Sequence, residues 1–219
     1  MLKIWGRTNS TNVKKALWIA QELGLDYEQI DVGGQFGGLD DPAFLARNPN
    51  GLIPLVEDGE TVLWESNVIT RYLAATYGKN SLWIENPAKR AQAEKWMDWA
   101  SNTLYSDFSN VMKHMIRLPE DKRDPAILQR GLDGLARSMK IANDGLGQAP
   151  WFSGDAFGIG DIPIGCYAYA WFEFPIERPS LPQLESWYER LKERPAYRSA
   201  VMTPSPDQTV HKLSRGMNE

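Results

Sequence analysis

The stretch LARNPNGLIPLVEDGETVLWESNVITRYL, centred on Ile53-Pro54 and leading to Glu65-Ser66, constrains this chain more than any other. Two short apolar runs, 52–56 and Thr61–Trp64, flank the acidic turn Glu57-Asp58-Gly59-Glu60. An Asp-Gly between two such runs predicts a β-hairpin. Pro54 belongs at the start or edge of its strand, because proline donates nothing to a ladder. If its peptide bond is cis, the preceding backbone turns outward and leaves its N–H and C=O free for a ligand. Glu65-Ser66-Asn67 then opens a helix whose apolar face is Val68, Ile69, Tyr72 and Leu73. Ser66 is the expected cap, and a helix N-terminus presents unpaired N–H groups to an anion. A free peptide edge, a carboxylate and an anion-binding helix end in one segment suit a zwitterionic, peptide-like ligand.

Upstream, Leu2–Trp5 predicts a first strand. A helix over 12–23 follows, with Val13, Ala16, Leu17, Ala20 and Leu23 on one face. Lys14, Lys15, Gln21 and Glu22 fall on the other side, and Gly24 is the expected stop. A second strand over 27–32, a glycine-rich loop at 33–38 and a short helix near 41–47 complete the approach to the hairpin. The order βαβ, α, ββα fits a thioredoxin-like fold, a mixed sheet covered by helices. Past Ser81 the pattern is helical only, over 88–117, 125–143, 161–172 and 184–194. The second of these is expected to end at Gly145-Leu146-Gly147, and the last at Pro195. The almost wholly apolar 161–172 is the expected buried centre. The polar tail after Met202, with Pro204 and Pro206, reads as mobile. Two domains, 1–80 and 88–219, joined around 79–87, are the simplest account of the 219 residues.

A net charge of −4 with interleaved signs argues against a nucleic-acid partner and against a membrane-surface patch. No apolar run approaches the roughly 20 residues of a membrane span. The start, MLKIWGRTNS, has no signal-peptide core, so the expected location is cytoplasmic. The single cysteine, Cys166, rules out an internal disulfide and a Cys-rich metal site, and lies in an apolar helix as a core thiol. His114 and His211 are too far apart in sequence for a local metal motif, so no metal is expected. The loop at 33–38 follows a strand but lacks the Lys-Ser/Thr of a phosphate loop.

Chemistry is concentrated in Arg7-Thr8-Asn9-Ser10-Thr11-Asn12, between the first strand and the first helix. Ser, Thr and Asn are the usual N-cap residues, which is the bland explanation. The same geometry also suits a thiolate: a hydroxyl donor, free N–H groups and the helix dipole stabilise negative sulfur and lower a thiol pKa from about 8.5.

Taken together, Ile53-Pro54, the hairpin, Glu65-Ser66 and the serine-bearing turn resemble the glutathione transferase family in its bacterial, cytosolic form. The segments Phe157-Gly158-Ile159-Gly160-Asp161, LESWYERL and RPAY resemble the family's later helices, so the likeness runs from the first strand to about residue 200. The family usually has Ser or Thr where this chain has Gly158, so half of the reciprocal capping pair with Asp161 is missing.

The resemblance implies an α/β thioredoxin-like N-terminal domain that binds glutathione and an all-α C-terminal domain that contributes an electrophile pocket. It implies Ser10 as the thiolate-activating donor. Asn12 matches a position used by disulfide-reductase-like members, and Thr11 lies between the two as a competing candidate. It implies that the Ile53 backbone, ahead of Pro54, pairs with the cysteinyl part of glutathione, and that Glu65 and Ser66 hold the γ-glutamyl end. Gln35 and Asn50 are the candidates for the glycyl carboxylate. Tyr105, Phe108 and Met112 on the long helix, and Trp171 on the central one, are the candidates to line the electrophile pocket. The implied activity is detoxifying transfer of glutathione, as co-substrate, to a small hydrophobic electrophile by a homodimer. Glutathione-dependent disulfide or peroxide reduction and non-catalytic ligand binding are the alternatives.

Overall fold

The computed structural model describes residues 1–79 and 81–203; the tail beyond Thr203, including His211, lies outside the described residues. The first part is β1 (Leu2–Trp5), α1 (Thr11–Glu22), β2 (Tyr27–Ile30), α2 (Pro42–Leu45), β3 (Leu55–Asp58), β4 (Thr61–Trp64) and α3 (Ser66–Tyr77). The strands form one mixed sheet in the order β2-β1-β3-β4. β1 is parallel to β2 and antiparallel to β3, and β3 and β4 form the expected hairpin. Its turn is tighter than the acidic run suggested: Glu57 and Asp58 pair across to Val62 and Thr61, leaving Gly59-Glu60 to reverse the chain. Leu52 and Ile53 stay outside the sheet, because the ladder with β1 ends at the Trp5–Leu55 pair, just after Pro54.

Among the described residues, the regular elements that follow are all helices. α4 (Pro87–Trp99), a π-helical turn (Ala100–Leu104), α5 (Tyr105–Val111) and a second π-helical segment (Met112–Arg117) make one continuous rod, close to the expected 88–117. α6 (Pro125–Leu146) runs through Gly145 rather than stopping before it, since Leu146 still buries against the core. α7 (Asp161–Glu173) is buried along almost its whole length. Pro195 does not merely end α8 (Pro182–Lys192); it occupies the first turn of a further helix, α9 (Pro195–Ala200). There its missing N–H costs nothing and its fixed φ suits the helix.

α1 is the hinge of the packing. It touches α3 on one side and α7 and α9 on the others. The side of α1 opposite the predicted apolar face is covered too: Lys14 and Lys15 are both buried. Helical periodicity identifies the most apolar side of a helix, but it cannot show that the opposite side is covered as well. Lys14 is satisfied locally. Its Nζ donates to the carbonyls of Val201 and Thr203, at 2.7 and 3.0 Å, just past the C-terminus of α9, where a cation is favoured. Glu22 and Arg194 form a further, bidentate tie between α1 and the chain ahead of α9, at 2.8 and 2.6 Å.

The capping of α7 explains how the chain does without the hydroxyl at Gly158. Asp161 is fully buried and its carboxylate accepts from Phe152 N, Gly158 N, Trp187 Nε1 and the Ser153 hydroxyl. Ser153 Oγ in turn accepts from Gly160 N at 3.0 Å. A Cβ at position 158 would lie 2.9 Å from the Ser153 Cβ and Oγ. The two positions therefore exchange roles: Ser153 supplies the hydroxyl, and a glycine at 158 leaves it room.

Candidate functional site

Three pieces of backbone converge at one end of the sheet. The first is the turn from β1 into α1. Ser10 is the N-cap of α1 by backbone, with φ −78° and ψ 125°, and its carbonyl accepts from Lys14 N. Its hydroxyl makes no capping bond and the residue is 9 % exposed. The bland role foreseen for this turn is therefore not taken up by the Ser10 side chain. Thr11 and Asn12 are the first two residues of the helix, both half-buried.

The second piece is the loop before β3. The Ile53-Pro54 peptide is cis. Among the described residues, Ile53 N–H and C=O make no backbone hydrogen bond. Two features that sequence reasoning passed over hold this loop. The buried Asn48 donates its amide to Leu52 O at 2.7 Å and accepts from the Asn50 N–H and side chain. The Asn-Pro-Asn-Gly run was the available signal, since Asn side chains hydrogen-bond their own backbone in turns. Gly6, at the end of β1 with φ +143°, lets the loop approach α1: a Cβ there would stand 2.5 Å from Val13 Cγ2 and 3.1 Å from Ile53 Cβ.

The third piece is the start of α3. Ser66 is the first helical residue, and the N-cap is Glu65, in correction of the expectation that Ser66 caps. Glu65 has φ 72°, the one positive φ outside glycine among the described residues. Such a backbone costs of order 1–3 kcal/mol, and strain of this kind concentrates at functional sites. Its side chain makes no capping bond and is exposed, while the Ser66 hydroxyl is buried. Ser66 Oγ donates to Asn12 Oδ1 at 3.4 Å, which joins the first and third pieces.

Residues 1–75 match the glutathione S-transferase N-terminal domain. The glutathione S-transferase GstB of Escherichia coli K12 is 47 % identical over 206 residues, spanning 93 % of this chain and 99 % of that protein. The chain belongs to the glutathione S-transferase family. The theta class glutathione S-transferase of Xanthomonas axonopodis pv. citri, solved with glutathione bound, superposes with a TM-score of 0.90 at 50 % identity, covering 93 % and 98 % of the two chains. A plant relative, glutathione S-transferase F14 of Arabidopsis thaliana, is 32 % identical over 211 residues, 91 % of this chain and 80 % of its own.

The remaining transferase-family candidates fall in different places. Gln35 lies exposed in the short 3-10 turn Gly34–Phe36, and Asn50 is exposed beside Asn48. The structure also brings Arg7 to this loop, its Cδ and Nε 3.1 and 3.2 Å from where a Gly34 Cβ would stand. Burial and the nearby Arg117 guanidinium both lower the Arg7 pKa. Of the four pocket candidates, Tyr105 is exposed, whereas Phe108, Met112 and Trp171 are buried. Phe108 packs edge-on against Tyr167, with ring centroids 4.9 Å apart. Trp171 instead lines a cavity with Phe172, Arg178 and Leu181. His114 is structural: its Nδ1 accepts from the Asp124 N–H at 2.9 Å, next to the start of α6. Cys166 is buried, and burial pushes its thiol up to about 12.

The residue most clearly missed is Lys15. Its Nζ lies 3.4 Å from Ser66 Oγ and 3.4 Å from the Tyr167 hydroxyl, so it sits directly behind the start of α3.

Proposed function

We propose that the protein binds glutathione across these three pieces, ionises its thiol at the first turn of α1, and directs the thiolate at a small hydrophobic electrophile. On this reading the Ile53 backbone pairs with the cysteinyl part of glutathione, and Glu65, Ser66 and the start of α3 hold the γ-glutamyl end. The observation that carries it is the Ser10 hydroxyl, nearly buried at a helix N-terminus yet not spent on the cap. A thiolate placed there gains a hydroxyl donor, unpaired N–H groups and the positive end of a helix dipole. Each unit by which the thiol pKa falls corresponds to about 1.4 kcal/mol in favour of the thiolate. The protein supplies orientation and charge stabilisation, and the co-substrate supplies the nucleophile. In the ligand-free protein Asn12 accepts from Ser66, whereas the Ser10 hydroxyl makes no capping bond.

The electrophile side is formed by the long helix, with Tyr105 at its exposed edge. Two domains, 1–80 and 88–219, a homodimer and a cytoplasmic location complete the proposal. Among the described residues no helix is long and apolar enough to cross a membrane.

The test is the ultraviolet thiolate absorbance of bound glutathione against pH, for wild type and Ser10→Ala. A midpoint well below that of free glutathione, returning towards it in the variant, is the expected result. An unchanged midpoint in Ser10→Ala transfers the role to Thr11, Asn12 or the helix end. No depression in wild type moves the protein to the ligand-binding alternative.

A further inference from the structure

Lys15 is 1 % exposed, and its ammonium has no carboxylate within salt-bridge distance among the described residues. Its two polar neighbours are hydroxyls, both at 3.4 Å, and the Tyr167 ring lies 5.0 Å away. Lys14 next to it has two backbone carbonyls at ordinary hydrogen-bond length. A buried cation without an anion is costly to keep. The titratable groups facing Lys15 are the Cys166 thiol and Tyr167 hydroxyl on α7 and the Glu65 carboxylate ahead of α3, with Lys14 alongside on α1. Glu65 is exposed, so its attraction is weakened by solvent. Desolvation brings the Lys15 pKa down to about 8.

One element beside Lys15 is built to receive an anion: the first turn of α3, with its unpaired N–H groups and the Ser66 hydroxyl. We propose that Lys15 is the counter-charge for the ligand's α-carboxylate at this helix start, acting through Ser66 as a positioning residue. This rests on the glutathione reading above. Lys15 Nζ donates to Ser66 Oγ, which leaves the hydroxyl's own proton to be donated away from the ammonium. The present acceptor of that proton, Asn12 Oδ1, is at a long 3.4 Å, and a carboxylate competes well for it. An arriving carboxylate favours the charged form of Lys15, so ligand binding draws a proton onto the protein at mildly alkaline pH.

The experiment is titration calorimetry with S-methylglutathione, whose blocked sulfur removes the thiol from the proton count, in buffers of different ionisation heat near pH 8.5. The analogue with 4-aminobutyrate in place of the γ-glutamyl residue, which lacks only the α-carboxylate, is run beside it. Wild type should take up a sizeable fraction of a proton with S-methylglutathione and none with the analogue. Lys15→Met should bind S-methylglutathione at least about tenfold more weakly, with no proton uptake, and should bind the two ligands nearly alike. Lys15→Arg, if it folds, should restore affinity without the proton uptake. Equal uptake with both ligands in wild type overturns the proposal without needing any variant, as does undiminished uptake in Lys15→Met. Failure of wild type to bind S-methylglutathione overturns the glutathione reading itself, and the role of Lys15 with it.

Discussion

Replacing Lys15 by Met should make the ligand-free protein more stable, and the gain should shrink as the pH rises. The folded pKa of about 8 lies well below the ordinary lysine value of 10.5. Below about pH 8 the ammonium is charged in both the folded and unfolded states, and the folded state carries its full desolvation cost. Between about 8 and 10.5 the folded protein releases the proton first, so the unfolded state binds more protons and stability rises with pH. From those two values the cost is about 3 kcal/mol near pH 7, about 2 near pH 9 and under about 1 near pH 10. Methionine fills a similar volume without the charge, and even buried ion pairs replaced by well-packed apolar residues are often neutral or stabilising by about 1–4 kcal/mol. Lys14, also lowered to about 8, titrates in both proteins, so only the part of its cost that depends on Lys15 enters the difference.

The assay is urea unfolding of wild type and Lys15→Met at fixed protein concentration across that pH range. A variant less stable than wild type near pH 7, or a difference that stays flat up to pH 10, refutes the reasoning. It would mean that Lys15 already has its counter-charge in the empty protein. Together with weaker ligand binding, a stabilised variant identifies a residue kept for the site at the expense of the fold.

Ser153→Ala removes one donor to Asp161 and the acceptor of Gly160 N, and should cost about 1–3 kcal/mol in urea unfolding. Gly158→Ser should destabilise wild type through its 2.9 Å approach to Ser153, yet recover part of the loss in a Ser153→Gly background. Gly6→Ala places a methyl group 2.5 Å from Val13 Cγ2 and beside Ile53, and should cost about 1–3 kcal/mol while also weakening glutathione binding by calorimetry. Cys166, with its thiol at about 12, should react with an aromatic disulfide reagent only after denaturant is added; rapid stoichiometric reaction in the native protein contradicts its burial.

Much of this architecture was legible because it depends on local chemistry. Asp-Gly between apolar runs predicted the β3–β4 hairpin, and Pro54 could only stand at a strand's edge. The apolar 161–172 run could only be interior. What was not legible depends on a second element arriving from elsewhere in the chain. Periodicity placed Lys14 and Lys15 opposite the apolar face and could not show that they are buried, because it sees one helix at a time; α7 and α9, more than a hundred residues on, cover that side. Gly158 read as a lost cap because the hydroxyl that replaces it comes from Ser153, outside the spacing that defines a capping box. Ser66 read as a cap because Ser is the usual residue there, whereas the backbone reverses one residue earlier, at Glu65.

The burial of Lys15 bears on function. Lys15 reaches from α1 to the first residue of α3 and to Tyr167 on α7, where Phe108 of the long helix packs. Asn67, the second residue of α3, donates to Met97 O and Ser101 Oγ, where the long helix passes into its π-helical turn. π-Bulges often mark functional sites, because they free a carbonyl or re-aim side chains. The start of α3 is thus bonded on one side to the helix that carries Ser10 and on the other to the helical rod. An anion settling there engages contacts on both, so the residues that position the ligand also tie the two parts of the chain together. No single-helix pattern could have shown that arrangement.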